Sequence, residues 1–181
     1  MFKPLAASLA LLCVAGFIGC SSTPKSPDVQ GAIRQSLDQS GFKDISVSQD
    51  REMGVVTLTG HVAADADKAT AESIAKGIAT GQVVADEIQV LPPGDVSATK
   101  EVNADLDQGI EKNLDAVLIL NHLNKDVSYE VKNGVVTLTG TVPSQSRRAF
   151  AEKTATGVPN VTQVVNELQV KGQKATSTSM Q

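Results

Sequence analysis

Few residues in this chain carry reactive chemistry, and those few are scattered. Two cysteines, Cys13 and Cys20, lie in the first 20 residues and none follows. A disulfide framework or a Cys-ligated zinc site in the remainder is thereby excluded. The histidines, His61 and His122, have no second His or Cys at ligand spacing, so both are expected on the surface and no metal centre is expected. Glu72 and Glu152, and likewise Glu87 and Glu167, recur at a spacing of 80. Acid–base catalysis needs such carboxylates to converge. Their positions instead read as solvated helix and strand faces. No Gly-x-Ser-x-Gly elbow, P-loop or dinucleotide fingerprint occurs, so no catalytic residue and no cofactor is expected. Arg147, Arg148 and Lys153 cluster near the start of one helix pattern. Guanidinium groups match phosphate geometry and a helix N-terminus attracts anions, so an anionic headgroup suits this cluster. A solubilising face is the alternative. The net charge of −4 shows no basic excess of the kind nucleic-acid binding requires.

Cys20 has a different context. An apolar run of 14 residues, Leu5 to Ile18, follows Lys3 and is too short to span a bilayer. It has the length of a signal-peptide core. Gly19-Cys20 at its end, after Phe17-Ile18, resembles a bacterial lipobox, which implies cleavage before Cys20 and acylation of its sulfur. Ser21 at the next position resembles the sorting rule for outer-membrane lipoproteins. Acyl chains hold a protein to a membrane by burying methylene groups. An ordinary secretory signal with an incidental Cys is the alternative. Residues 1–19 are thus expected to be a signal peptide and 20–27 a lipidated Cys with a Ser/Pro tether.

The elements that must position these residues are set by a repeat. Gly54-Val-Val-Thr-Leu-Thr-Gly60 recurs letter for letter as Gly134-Val-Val-Thr-Leu-Thr-Gly140. Over Gly54–Val90 against Gly134–Val170 there are 17 identities in 37 ungapped pairs. One structural unit has been used twice, over 28–91 and 104–171, with a linker at 92–103 and a tail at 172–181 expected to be disordered. In the first unit Ser26 or Asp28 is expected to cap a helix carrying Ile33 and Leu37. Strands follow at Ile45 to Ser48 and Val55 to Val62, alternating inward and outward. Gly60, on the core face, is expected to admit close approach by a helix. Asp65 is expected to cap a second helix with Ala71, Ile74, Ala75 and Ile78 inward, and Gly77 to form its left-handed C-cap. Strand Val83–Val90 closes the unit. In the second unit Asn133-Gly134 predicts a type I′ turn and Ser144 a helix cap. Its opening helix ends in Val117-Leu118-Ile119-Leu120 with Leu123, apolar nearly all round. One face cannot bury all of these, so they dock between the units or reach a membrane or partner.

Each unit is therefore αββαβ, and the fold class is α+β: two tandem units, each a three-stranded mixed sheet with two helices on one face. Strand order is not fixed by the sequence. Gly-Val-Val-Thr-Leu-Thr-Gly-x-Val, a helix ending near Gly157, and Val164-Val165-Asn166-Glu167-Leu168 resemble the BON domain, and the second copy matches better. The first copy departs at Gly77-Ile-Ala-Thr-Gly81 and carries Asp86 at the Asn position. The resemblance implies a non-catalytic protein of the bacterial envelope. The roles it implies are phospholipid or membrane binding and support of envelope integrity or the osmotic stress response. Together with the lipobox it implies a periplasmic location, anchored to the outer membrane at Cys20. The residues then expected to meet lipid or a partner are Arg147, Arg148, Lys153, Leu118, Ile119 and Leu120. Other envelope proteins are the alternative partners. Unit one (28–91) has 5 basic and 10 acidic residues, and unit two (104–170) has 6 and 8, so unit two suits an anionic membrane better.

Overall fold

A computed structural model describes residues 25–91, 96–172 and 178–180, with side chains described for 25–91 and 99–172. The expected signal peptide, Cys20 and most of the expected tether lie outside these residues. The elements in chain order are α1 (Gln30–Gln39), β1 (Ile45–Asp50), β2 (Val55–Val62), α2 (Asp65–Ile78) and β3 (Val83–Val90), then α3 (Val96–Leu120), β4 (Val127–Lys132), β5 (Val135–Val142), α4 (Gln145–Thr156), β6 (Gln163–Asn166), β7 (Gln169–Val170) and β8 (Thr178–Met180).

The repeated heptapeptide forms the central strand of each sheet. The first sheet has the order β1-β2-β3, with β1 antiparallel and β3 parallel to β2. The second repeats this as β4-β5-β6, and β7 continues the parallel pairing with β5. Two-residue alternation divides the faces. Val56 and Leu58 meet Ile33 and Leu37 of α1 and Ala71 and Ala75 of α2 in one core, and Val136 and Leu138 meet Ile110, Leu114, Ala151 and Ala155 in the other. Both units are thus mixed sheets covered by two helices on one face.

The opposite faces join the units. Val55, Ala85, Val135 and Val165 form a third buried cluster, flanked by Met53 and Val83. Three buried valines at roughly 1.5–3 kcal/mol each are comparable with the ~5–15 kcal/mol net stability of a small domain. The units therefore rely on each other. Thr57 and Thr137 beside this cluster are half-buried rather than exposed.

Several local expectations are corrected. Neither Ser26 nor Asp28 caps α1; Gln49 Oε1 accepts from the backbone N–H groups of Val29 (3.1 Å) and Gln30 (3.3 Å). The α2 N-cap is Ala64, with Asp65 in the first turn, and Gly77 is inside the helix, which ends at Ile78; the left-handed glycine is Gly81 (φ 79°). Gly60 admits backbone rather than a helix, since a Cβ there would lie 2.1 Å from the Asp44 carbonyl oxygen. The linker is largely helical because α3 begins at Val96. Residues 178–180 of the tail pair antiparallel with β6 as β8. The Asn133-Gly134 turn has positive φ at both residues (50° and 77°), and the Ser144 hydroxyl accepts from the Arg147 N–H (3.2 Å), both as expected.

Candidate functional site

The end of α3 has a defined geometry. Leu123 N–H donates to Leu118 C=O (2.8 Å) and His122 N–H to Ile119 C=O (3.0 Å), with His122 at φ 53°. This is the Schellman closure of a helix, with a left-handed residue after the cap. The α1 helix closes in the same way. Phe42 N–H donates to Leu37 C=O (2.9 Å) and Gly41 N–H to Asp38 C=O (3.1 Å), with Gly41 at φ 90°. The two closures align the helices residue by residue. Leu118 stands where unit one has Leu37, Ile119 where it has Asp38, and Leu120 where it has Gln39.

That alignment separates core from surface. Leu118 and Leu123 are fully buried in unit two's own core, not between the units. Ile119 and Leu120 are 57% and 76% exposed. A helix stripe of this width buries only one side, and the other side is apolar only in unit two. Phe150 on α4 is 42% exposed, and the 80-residue repeat places it at Thr70 of unit one. Phe150 was not singled out in the sequence; its contrast with Thr70 was the available signal.

The cations divide in the same way. Arg147 is half-buried and its Nη2 donates to the carbonyls of Asn121 (3.2 Å) and His122. It neutralises the negative end of the α3 dipole and ties α4 to that end. Lys153 is exposed. Unit one has Asp67 and Ser73 at these two positions. Arg148 is only 4% exposed, so it and Leu118 offer nothing to a surface ligand. The surface that remains from the sequence expectation is Ile119, Leu120, Arg147 and Lys153.

Arg148 has a structural task. Its Nε donates to Leu168 C=O (2.9 Å) and its Nη2 to Asn166 C=O (2.7 Å). Asn166 Nδ2 donates to Glu152 Oε2 (2.8 Å), and Asn166 Oδ1 accepts from Leu168 N–H (3.2 Å). Burial lowers the Arg148 pKa from its ordinary value, opposed by the charge of Glu152. Glu152 is therefore a buried network member and not a solvated carboxylate. Unit one places Lys68, Glu72 and Asp86 at the same three positions. Lys68 Nζ donates to Ile88 C=O (2.9 Å) and Asp86 Oδ1 accepts from Ile88 N–H (3.1 Å). The Asn-to-Asp difference thus preserves the acceptor and adds a charge. Glu72, Glu87 and Glu167 are half-buried, whereas His61 and His122 are exposed.

The BON domain family model matches residues 26–92 and again 106–172. The chain belongs to the BON domain family. A BON-domain relative is the osmotically-inducible protein Y of Escherichia coli (strain K12), 31% identical over 144 residues, covering 75% of this chain and 67% of that protein. Two solved structures of CdsD, a structural protein of the type III secretion system of Chlamydia trachomatis, are similar at 14% identity. The C-terminal domain aligns with a TM-score of 0.33 over 79% of this chain and 97% of its own, and the second structure with 0.35 over 80% and 92%. Among the described residues of this BON protein, no group of three or more His, Cys, Asp or Glu could hold a metal ion. No described helix is long and apolar enough to cross a membrane.

Proposed function

We propose that this BON protein is a non-catalytic envelope lipoprotein of the osmotic stress response. Acyl chains on Cys20 hold it to the periplasmic face of the outer membrane, and the end of α3 docks on anionic phospholipid. The likeness to an osmotically-inducible protein supports the physiological part, and the lipobox resemblance supports the anchor. One observation carries the docking face. Two copies of one fold close a helix identically, yet Ile119 and Leu120 are exposed where unit one has Asp38 and Gln39. The fold does not require those apolar residues.

Magnitudes assign each part its task. Ile119, Leu120 and Phe150 entering the headgroup boundary would contribute roughly 1.5 kcal/mol each. Together that is about 4–5 kcal/mol, a dissociation constant near ~1 mM. Such a face binds weakly alone. A tether that supplies an effective concentration of about 1 mM makes it substantially occupied. Arg147, which meets the α3 end, and Lys153, exposed three residues after Phe150 on α4, favour anionic over zwitterionic lipid. The anchor is tested by labelling cells with a palmitate analogue. Incorporation abolished by Cys20→Ala supports it, and incorporation unaffected by that change refutes it.

A further inference from the structure

A cleft of about 470 Å³ lies between the two units, bounded by α2 and β3 of the first and the N-terminal half of α3. That volume is within the ~300–1,000 Å³ range of ligand sites. Val90, Leu106 and Ile110 give it apolar lining, and Leu106 remains 44% exposed. Val102, one turn before Leu106 on α3, is 57% exposed. Leu106 and Val102 are apolar surfaces that neither unit's core uses, whereas Ile110 belongs to unit two's core and Val90 packs against unit one's.

The polar lining has one dominant sign. Asp65, Glu72, Asp86 and Asp107 line the cleft, and Lys68 is the cation among the lining residues. Some of these groups have internal duties. Asp107 accepts from the N–H groups of Asn133 (2.8 Å) and Gly134 (2.9 Å), Glu72 pairs with Lys76 (2.8 Å), and Asp86 lies 3.9 Å from Lys68 Nζ. The excess of carboxylates persists after these pairings. It is also specific to this copy. Asp65 and Asp86 stand where unit two has Gln145 and Asn166, and the fold is closed equally well by those neutral residues. The amides of Asn103 and Asn160 supply donors and acceptors at the lining.

We propose that this cleft docks an extended peptide segment of another protein, one carrying a basic side chain next to an apolar one. A Lys or Arg side chain suits the site because its apolar stem packs on the Leu106 wall while its head meets the carboxylates. Backbone groups of the segment pair with the asparagine amides. The cleft is distinct from the lipid face. Leu106 and Leu120 are 14 residues apart on one helix, or about 21 Å at 1.5 Å per residue. One helix thus serves a peptide at its start and a membrane at its end.

The test is fluorescence anisotropy with the full chain and labelled hexapeptides, one alternating Lys and Leu, the other Glu and Leu. The Lys-Leu peptide binds, and binding weakens with added salt. Asp65→Gln with Asp86→Asn, which installs unit two's residues, weakens it at least fivefold, and so does Leu106→Ser. Ile119→Asp with Leu120→Gln leaves it unchanged. The exposed single change Asp65→Gln keeps the test valid if the double variant folds poorly, and it too weakens binding. Equal binding of the Glu-Leu peptide, or Lys-Leu binding indifferent to Asp65→Gln and Leu106→Ser, overturns the proposal.

Discussion

Gly60 and Gly140 occupy the same unusual backbone, with φ of 122° and 124°, and a Cβ at Gly140 would lie 2.3 Å from the Asp126 carbonyl oxygen. Gly140→Ala should cost at least ~2 kcal/mol, since strain and a backbone clash act together. Urea unfolding measures this. Gly77→Ala is the control: the site is helical with nothing within 4 Å, so stability should rise by up to ~1 kcal/mol. The repetition of these glycines at a spacing of 80 was legible in the sequence, but their reason was not. Period-two alternation identified the core face, whereas the approach of Asp44 and Asp126 depends on how β1 and β4 enter the sheet. Arg147 and Arg148 show the same limit. Adjacent on a helix, they read as one basic cluster, yet a 100° turn sends Arg148 into the core and leaves Arg147 at the α3 end. Arg148→Ala should destabilise by about 3–5 kcal/mol, because it leaves Glu152 buried without its cation. Thermal unfolding checks this, and a loss below ~1 kcal/mol would contradict the network described.

At the scale of elements, α3 is the unusual one. Its 25 residues compare with 10 in α1, although both close on the same motif. The period predicts a core stripe of Leu106, Ile110, Leu114 and Val117. Ile110 and Leu114 are buried and Val117 packs partly against them, but Leu106 is 44% exposed. The extension back to Val96 was not legible, because residues 96–103 have no apolar period and follow Pro92-Pro93-Gly94. Helix-compatible residues such as Ala98, Lys100 and Glu101 extend the helix once Ile110 and Leu114 are anchored. The helix end carries the second lesson. Its all-round hydrophobicity was visible, but which residues bury was decided by alignment with α1. Ile119→Asp with Leu120→Gln gives unit two the residues of unit one at exposed positions. Stability should change by no more than ~0.5 kcal/mol per site, measured by urea unfolding. A larger loss would mean these side chains are buried in the folded chain.

The whole molecule is a pseudo-symmetric pair with unequal contacts. Asn133 Nδ2 donates to Glu87 C=O (2.6 Å), and Lys132 Nζ lies 2.8 Å from Glu87 Oε2. Gln163 bridges the β3 edge, with Nε2 donating to Val84 C=O (2.7 Å) and Oε1 accepting from Asp86 N–H (3.0 Å). Unit one has Glu52, Met53 and Val83 at the three positions of Lys132, Asn133 and Gln163. The repeat was legible, but this asymmetry appears only when the sheets meet. Gln163→Val should cost about 1–3 kcal/mol by leaving two buried backbone groups unpaired, read from chemical denaturation. On the symmetry-related side, Glu52 stands where unit two has Lys132, and among the described residues no lysine pairs with Glu167. Burial first, and then the Asp50 carboxylate of the first hairpin, push its pKa up. Asp86 is also raised, by burial, with Lys68 opposing. A carboxyl with a raised folded pKa binds protons more tightly when folded. Its contribution to stability therefore grows as pH falls from neutrality towards the unfolded carboxyl range near ~4.3. Glu167→Gln should flatten that pH dependence in denaturation curves taken across the window. An unchanged slope would show that Glu167 does not link docking to pH.

The docking of the α3 end on anionic lipid is tested most directly by flotation of residues 21–181 with phosphatidylglycerol vesicles at several millimolar lipid and low salt. The chain should float with those vesicles and not with phosphatidylcholine, and Ile119→Asp with Leu120→Gln should reduce the floated fraction several-fold while the protein stays folded. Failure of the unchanged chain to float, or equal flotation of the variant, would contradict the account.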